Sequence, residues 1–157
     1  LERSSPYDVI LGKVFNGFTI GTSSPRRTKQ LTDLYGHLNV KIKHIRGNID
    51  TRLAKLDAGE YDAIVLAETG LQALSIGRTT VRLPIVPAVG QGTIALQCRK
   101  DDADTIELLK HADHDLTRRH SFLERSLLKG IMGDCSTKIA AYASEDNPIK
   151  LEAVYYD

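Results

Sequence analysis

The sequence predicts an α/β fold with a parallel, doubly wound sheet, and three observations predict it. From Thr19 onward, short apolar segments alternate with amphipathic segments of helical spacing, as in chains of strand–helix units. Residues 63–67, Ala-Ile-Val-Leu-Ala, are continuously apolar, which is typical of a strand covered on both faces. The chain has 157 residues, 41% of them hydrophobic, which is enough for a packed core.

The first predicted unit is a strand over residues 18–21 followed by a helix. Ser24 and Pro25 mark the helix start, because serine caps free N–H groups and proline at the first helical position loses no hydrogen bond. A second strand over residues 40–45 leads into a helix that ends before Gly59.

The third strand, over residues 63–67, precedes a short helix. Prolines and glycines between residues 84 and 92 predict a linker, which runs into a further strand over residues 93–98 with Cys98 in its core.

The remaining part of the chain predicts two helices and two strands. One helix follows Asp102, and a longer one runs from about Asp115 to Gly130. Two strands, over residues 139–143 and 149–155, are joined by a polar turn.

Charge and composition exclude several classes of function. Lysine and arginine number 21 against 20 acidic residues, so net charge gives no reason to expect nucleic acid or an anionic membrane as a partner. No apolar run approaches the roughly 20 residues of a membrane helix and no signal segment opens the chain, so we expect a cytoplasmic protein. Cys98 and Cys135 lack the spacing of a zinc or dithiol site. The chain starts at Leu1 and stops at Asp157 inside a strand-like run, so we expect both ends to continue in a longer protein.

Arginines cluster at the turns that follow the first two predicted strands. In a parallel sheet these turns meet at the carboxyl edge, where free backbone N–H groups bind ligands. Guanidinium groups bind carboxylates through paired, charge-assisted hydrogen bonds, so this pattern favours a ligand with several carboxylates, and phosphate fits nearly as well. The residues concerned are Arg26, Arg27, Arg46 and Arg52, with the hydroxyls of Thr22, Ser23 and Ser24 beside them.

A different interpretation of these arginines stays open for each of them taken singly. They would then be solvated residues on helix surfaces that pair with Asp33, Asp50 or Asp57. As a group, the arginines favour a ligand. Asp62, before the third strand, is interpreted as a turn residue rather than a base.

Cys135 lies in a glycine-containing loop between a helix and a strand, where a thiol stays accessible. Lys138 would stabilise its thiolate and Asp134 would oppose it, so this chemical setting alone indicates a structural thiol.

Histidines and glycines suggest two further sites that their spacing does not support. His111 and His114 straddle a helix junction and His120 falls in an apolar stripe, so we expect no metal site. The Gly90-Gln-Gly92 turn lacks the downstream helix and acidic residue of a dinucleotide site and is interpreted as a hinge.

Four stretches of the chain carry a family resemblance. They are Gly21-Thr-Ser-Ser-Pro-Arg-Arg27, Ile45-Arg-Gly-Asn-Ile-Asp-Thr-Arg-Leu53, Pro87-Ala-Val-Gly-Gln-Gly92 and Gly133-Asp-Cys135, and in this order they resemble the porphobilinogen deaminases, or hydroxymethylbilane synthases. The resemblance implies two periplasmic-binding-protein-like α/β domains, doubly wound, and a small α+β domain. Residues 1–8 would form the hinge from the first domain, 9–88 the second domain, 89–113 a return segment that belongs to the first domain, and 114–157 the start of the third, cofactor-bearing domain.

The resemblance implies a transferase of tetrapyrrole and haem biosynthesis. Such an enzyme condenses four porphobilinogen molecules into linear hydroxymethylbilane with release of ammonia, and its partners are porphobilinogen and its oligomers. The implied cofactor is a dipyrromethane attached to Cys135 through a thioether, with Ser24, Arg26, Arg27 and Arg46 around it. The implied substrate-binding residues are Arg52, Arg78, Arg99, Gln91 and Gly92. The full-length protein is expected to be a monomer, and because the family's catalytic aspartate belongs to the first domain, this chain alone is expected to be inactive.

Two departures from the family pattern keep other interpretations open. Asp134 stands where the family has a second glycine before the cysteine, and Lys138 stands where a proline is expected. A diverged relative that has lost its activity is therefore one alternative. A non-catalytic module of the periplasmic-binding-protein type that binds small anions is another.

Overall fold

The structure is a computed structural model that describes residues 1–131 and 139–156. A five-stranded sheet carries three helices and is followed by two more helices and a hairpin. The strands are β1 Asp8–Gly12, β2 Thr19–Gly21, β3 Lys41–Lys43, β4 Ala63–Ala67, β5 Val81–Arg82, β6 Ile139–Ser144 and β7 Lys150–Tyr155. The helices are α1 Pro25–Tyr35, α2 Ile49–Asp57, α3 Glu68–Ala73, α4 Ala103–Lys110 and α5 Asp115–Gly130. Within the described ranges, none of these helices combines the length and apolarity needed to span a bilayer.

The five-stranded sheet is mixed rather than wholly parallel. Its order is β3-β2-β4-β1-β5, with β2 parallel to both β3 and β4. Strand β1 runs antiparallel to β4 and β5, with Asp8 opposite Ala67 and Gly12 opposite Ala63. The three predicted strands β2, β3 and β4 are parallel as expected, and the sheet is mixed because β1, which the sequence did not predict as a strand, pairs antiparallel with β4 and β5. As a consequence, the first residue of β1 lies at the carboxyl edge of the parallel strands.

Helices cover both faces of this sheet. Neighbouring residues of a strand point to opposite faces, so Ile64 and Val65 of β4 enter different parts of the core. Helix α1 packs on one face through Leu31, and helices α2 and α3 pack on the other through Leu53 and Leu71. The sheet is thus covered on both sides, as its apolar strands predict.

The starts of the first two helices agree with their sequence signals. Ser24 caps α1, its Oγ accepting a hydrogen bond from the Arg27 N–H at 3.3 Å. Asn48 caps α2, its Oδ1 accepting from the Thr51 N–H at 2.9 Å. Both caps place the first turn of a helix directly beyond a strand of the parallel set.

Residues 93–98 do not form the predicted strand. The segment is irregular, and no strand of the described residues pairs with it. Ile94 and Leu96 are 57% and 50% exposed, and Cys98 is half-buried outside any strand. A strand needs a neighbour to bind its N–H and C=O groups, and an apolar pattern does not supply one.

Helix α5 packs against the hairpin of β6 and β7 with a polar buried face. Thr117, His120 and Glu124 are buried, whereas the leucines whose spacing predicts the buried face of this helix are half-buried; they are Leu116, Leu123, Leu127 and Leu128. His120 is packed as predicted, with Nε2 2.6 Å from the Glu145 carbonyl oxygen. The buried Glu124 is unexpected for a charged residue and needs a partner.

Candidate carboxylate-binding site

Two arginines of the first turn of α1 meet one carboxylate at the carboxyl edge of the sheet. Arg27 donates through Nε and Nη2 to Asp8 Oδ1, at 3.0 and 2.7 Å. Arg26 places Nη2 2.6 Å from Asp8 Oδ2. Arg27 thus hydrogen-bonds to Oδ1 of Asp8, whereas Arg26 forms an ion pair with Oδ2, which accepts no hydrogen bond from the described residues. We call these three side chains the Asp8–Arg26–Arg27 cluster.

This cluster carries more positive than negative charge in a buried setting. The side chains of Arg26 and Arg27 are 6% and 12% exposed, and that of Asp8 is fully buried. Burial lowers the pKa of Arg26, the charge of Arg27 acts in the same direction, and Asp8 opposes both. Two guanidinium groups share one carboxylate, so the electrostatics of the site favour a further anion.

Backbone carbonyls fix the two guanidinium groups in place. Arg26 Nη1 donates to the Val86 oxygen at 2.7 Å, and Arg27 Nη1 donates to the Val65 oxygen at 3.3 Å. Gln30, one turn after Arg26, donates to the Val86 oxygen at 3.0 Å and accepts from the Val86 N–H at 2.8 Å. Helix α1 is thereby bound to the segment that follows β5.

Gln91 and Gly92 lie where two connecting segments run side by side. Gln91 Nε2 donates to Asp8 Oδ1 at 3.0 Å and to the Pro6 oxygen at 2.5 Å. The Ser4 N–H donates to the Gly92 oxygen at 3.0 Å, and Gly92 has a φ of +84°. The turn that the sequence predicts as a hinge thus contacts the Asp8–Arg26–Arg27 cluster directly, through Gln91.

The hydroxyl groups of the first turn bind the protein itself. Ser23 Oγ donates to the Ile45 oxygen at 2.7 Å and accepts from the Ile45 N–H at 3.1 Å. Thr22 Oγ1 accepts from the Ser24 N–H at 3.2 Å, while Ser24 Oγ caps α1. These hydroxyls hold the turns after β2 and β3 together and so shape the edge at which the arginines lie.

Arg46 and Arg52 occupy the neighbouring turn, before α2. Arg46 is exposed, and no carboxylate within residues 1–131 and 139–156 forms a salt bridge with it. Arg52 Nε donates to the Gly47 oxygen at 2.8 Å, and Gly47 has a φ of +115°. Lys55 Nζ lies 3.3 Å from the Arg46 oxygen. The turn thus presents cations close to the end of β3.

Arg78 and Arg99 do not join the Asp8–Arg26–Arg27 cluster. Arg78 pairs with Asp57 at 2.6 Å and lines a cavity with Gly12 and Asp62, at the opposite edge of the sheet. The hydrogen bond from Arg78 lowers the pKa of Asp57. Arg99 is exposed in the irregular segment before α4.

The alternative in which Arg26, Arg27, Arg46 and Arg52 pair with Asp33, Asp50 or Asp57 finds no such pair among the described residues. Asp33 pairs with Lys29 at 2.8 Å, Asp57 pairs with Arg78 at 2.6 Å, and the partner of Arg26 and Arg27 is Asp8. Asp62 lies in a bend directly before β4, which agrees with its prediction as a turn residue, and its Oδ2 accepts from the Thr19 N–H at 2.8 Å. The one signal for Asp8 in the sequence is its place directly before the apolar run of β1.

Cys135, with Asp134 and Lys138 around it, lies outside the described residues. Its assignment as a cofactor anchor therefore stays a prediction from the sequence. The preceding helix α5 and the following strand β6 are both described and contact each other.

A second buried ion pair, which sequence reasoning missed, lies between Arg3 and Glu124. Arg3 Nη1 and Nη2 lie 2.6 and 3.3 Å from the two carboxylate oxygens of Glu124. The same carboxylate accepts from the N–H groups of Gly90 and Ala143, at 2.7 and 2.8 Å. Arg3 Nε also donates to the Gln91 oxygen at 2.9 Å. The pair thereby joins the first segment of the chain, the 90–92 turn, helix α5 and strand β6.

Comparisons with known proteins identify the family of this chain. A family model described as porphobilinogen deaminase, dipyromethane cofactor binding domain, matches residues 1–107. The porphobilinogen deaminase of Brevibacillus brevis is 42% identical, over 96% of this chain and 52% of its own length. That of a Nostoc species is 48% identical over 78% of this chain and 39% of its own length, and that of Neisseria meningitidis 40% over 93% and 50%. The chain spans about half the length of the curated relatives it matches. It belongs, on the length and identity of these matches, to the porphobilinogen deaminase family.

Proposed function

We propose that the protein containing this chain condenses four porphobilinogen molecules into linear hydroxymethylbilane, with release of ammonia, on a dipyrromethane cofactor. The observation that carries this proposal is the Asp8–Arg26–Arg27 cluster, in which two buried guanidinium groups share one carboxylate. Each pyrrole ring of the substrate bears two carboxylates. A site with excess positive charge at the carboxyl edge of a sheet suits such a ligand.

The described residues fit a polycarboxylate cofactor. Arg26 and Arg27 are fixed by backbone carbonyls, so they bind a carboxylate without first losing side-chain freedom. We assign the cofactor to Ser24, Arg26, Arg27 and Arg46, and the growing chain to Arg52, Gln91, Gly92 and Arg99. Arg78 lies at the opposite edge of the sheet, so this proposed site does not include it.

Cys135 is proposed to hold the cofactor through a thioether. This assignment depends on the resemblance of the Gly133-Asp-Cys135 stretch. When bound, the dipyrromethane supplies one fixed end for the growing chain, which keeps each new ring at high effective concentration. The arginines orient its carboxylates, and Asp134 and Lys138 adjoin the anchor in sequence.

The domain arrangement is also a proposal. Residues 9–88 would form a periplasmic-binding-protein-like domain, supported by helices on both faces of the sheet and by arginines at its carboxyl edge. Residues 89–113 would return to a first domain supplied by the rest of the protein. Exposed apolar side chains of Ile94, Leu96 and Phe122, which line a groove of about 830 Å³, support this assignment. Residues 114–157 would open the third domain, and we expect a cytoplasmic monomer.

Intact-mass measurement of the full-length protein tests this function. The native protein should carry the added mass of a dipyrromethane, and Cys135→Ser should lack it, because the thioether needs the Cys135 sulfur. Cys98→Ser is the matched control and should keep the adduct. A native protein without any adduct would instead favour the non-catalytic anion-binding module or a relative that has lost its activity.

A second measurement tests the arginines. Arg27→Gln should lower both the adduct-bearing fraction and the turnover of porphobilinogen, because it removes a buried donor of the proposed carboxylate site. Arg119→Gln, at an exposed position of α5 that pairs with Asp146 at 2.8 Å, should change neither. Equal adduct-bearing fractions and equal turnover in the two variants would contradict the assignment of the site.

A further inference from the structure

Asp8 is a fully buried carboxylate whose place depends on the antiparallel direction of β1. Its backbone lies opposite Ala67, at the end of β4, and its side chain meets the first turn of α1. Gln91 Nε2 donates to the same oxygen, Oδ1, that Arg27 contacts, at 3.0 Å. Residues from three distant parts of the sequence therefore fix this carboxylate.

A negative charge between Arg26 and Arg27 has a direct physical consequence. Two adjacent guanidinium groups repel each other, and the repulsion is strong where water is excluded. The negative charge of Asp8 offsets this repulsion, because Oδ2 lies 2.6 Å from Arg26 Nη2 and Oδ1 lies 2.7 Å from Arg27 Nη2. The two cations can then lie side by side, which a ligand carboxylate needs if it is to contact both.

A ligand does not need to displace Asp8 in order to bind the arginines. The side chain is fully buried, and its backbone is bound within the sheet on both sides, opposite Ala67 of β4 and through the Leu83 N–H at 2.9 Å. Arg27 uses three N–H groups for Asp8 and the Val65 oxygen, and a guanidinium group has five. Two N–H groups of Arg27 thus remain for another acceptor while Asp8 stays in place.

We propose that Asp8 is the positioning residue of the carboxylate site, holding Arg26 and Arg27 together as one receptor without touching the ligand. The inference deepens the proposed function and rests on it. It assigns Asp8 a role in binding that its burial and its place in a strand would otherwise attribute to folding alone.

Chemical rescue in the full-length protein tests the inference. Asp8→Ala removes the carboxylate and leaves room for a formate ion between the two guanidinium groups. The control is Asp33→Asn, on the same helix as the arginines, where the carboxylate is exposed and pairs with Lys29. The readouts are the adduct-bearing fraction by intact mass and the KM for porphobilinogen, measured in sodium formate and in sodium chloride at equal ionic strength.

Asp8→Ala should lose most of its adduct in chloride, and the molecules that keep it should show a KM raised about tenfold, which corresponds to about 1.4 kcal/mol. Formate should recover both values, because it replaces the missing charge, and Asp33→Asn should equal the native protein in both salts. A folded Asp8→Ala protein with native loading and native KM overturns the inference, as does a loss that formate leaves unchanged. A native protein without any adduct would overturn the proposed function itself. This result differs from those that overturn the inference about Asp8, because they concern the Asp8→Ala variant.

Asp8→Asn is the variant that tests the inference if Asp8→Ala does not fold. It keeps the volume and one acceptor oxygen but removes the charge, so a raised KM with little change in kcat is expected. A native KM for Asp8→Asn contradicts the proposal. If neither variant folds, even when refolded in formate, Asp8 acts in folding and not in positioning, and the proposal fails.

Discussion

Buried carboxylates organise this molecule at the scale of single residues. Asp8 and Glu124 are both fully buried, and each accepts hydrogen bonds from segments far apart in the sequence. Asp8 joins β1 to α1, and Glu124 joins α5 to the first segment of the chain. Removal of either carboxylate leaves a buried cation without its partner, which costs far more than removal of a surface charge.

Glu124→Gln is predicted to lower the free energy of unfolding by about 3–5 kcal/mol, because Arg3 would remain buried without a counter-charge. Urea denaturation at neutral pH measures the change. Glu107→Gln is the control, since Glu107 is 67% exposed and pairs with Lys110, itself 65% exposed, and its effect should stay within about 0.5 kcal/mol. Similar losses in the two variants would show that the Arg3–Glu124 pair contributes no more than a surface pair.

Glu68 makes stability depend on pH. Hydrogen bonds from Arg82, and next from the Ser5 hydroxyl, lower the pKa of Glu68 below its usual 4.5. A carboxyl with a lowered folded-state pKa stabilises the fold above its unfolded-state pKa, and that stabilisation is lost as the pH falls through the folded-state value. Between about pH 5 and pH 3, the native protein should therefore lose more stability than Glu68→Gln. Guanidinium denaturation at both pH values checks this, and equal losses would contradict it.

At the scale of elements, local patterns and long-range pairing contribute differently. The units β2–α1, β3–α2 and β4–α3 follow from strand-like runs and helix starts that lie within a few residues of each other. Local patterns do not predict the pairing of β1 or the irregular backbone of residues 93–98, because a strand depends on a neighbour that the local sequence does not identify. Strand β1 has a neighbour in β4, and residues 93–98 have none among the described residues.

Asn48→Ala is predicted to lower the free energy of unfolding by about 1 kcal/mol, because the Thr51 N–H would lose its 2.9 Å partner at the start of α2. The same carboxamide oxygen accepts from Thr51 Oγ1 at 2.7 Å, which adds to the effect. Thermal unfolding followed by circular dichroism gives the measurement. Glu60→Ala, an exposed site beyond the end of α2, is the control, and a loss as large there would exclude a capping effect.

At the scale of the whole molecule, two connecting segments and one helix meet in a single hydrogen-bonded junction. The segment before β1 and the 90–92 turn run side by side, and Glu124 of α5 binds both through Arg3 and the Gly90 N–H. The junction lies next to the Asp8–Arg26–Arg27 cluster, since Gln91 contacts Asp8. Changes in the junction are therefore expected to reach the site through Gln91.

Gly92→Ala is predicted to destabilise the protein by more than about 1 kcal/mol, because its φ is +84° and a Cβ atom would lie 2.5 Å from the Ser4 oxygen. Gly77→Ala is the control, because its φ is outside the left-handed region and a Cβ atom there would meet no atom of the described residues within 4 Å. Urea denaturation compares the two. If Gly77→Ala were the more costly change, close approach of the connecting segments would not explain the effect at Gly92.

The sequence by itself determined the strand–helix units, the helix starts at Ser24 and Asn48, and the place of Arg26 and Arg27 at the carboxyl edge of the sheet. These properties depend on residues a few positions apart. Hydrophobic periodicity and helix capping involve residues at this short spacing, so they can be recognised in the sequence.

Only the tertiary structure decided the direction of β1, the pairing of Asp8 with two arginines, the burial of Glu124 and the separation of Arg78 from the Asp8–Arg26–Arg27 cluster. Each of these depends on contacts between residues tens of positions apart. A charged side chain in a sequence shows its sign but not its partner, because the partner is chosen by the packing of strands and helices that bring distant segments together.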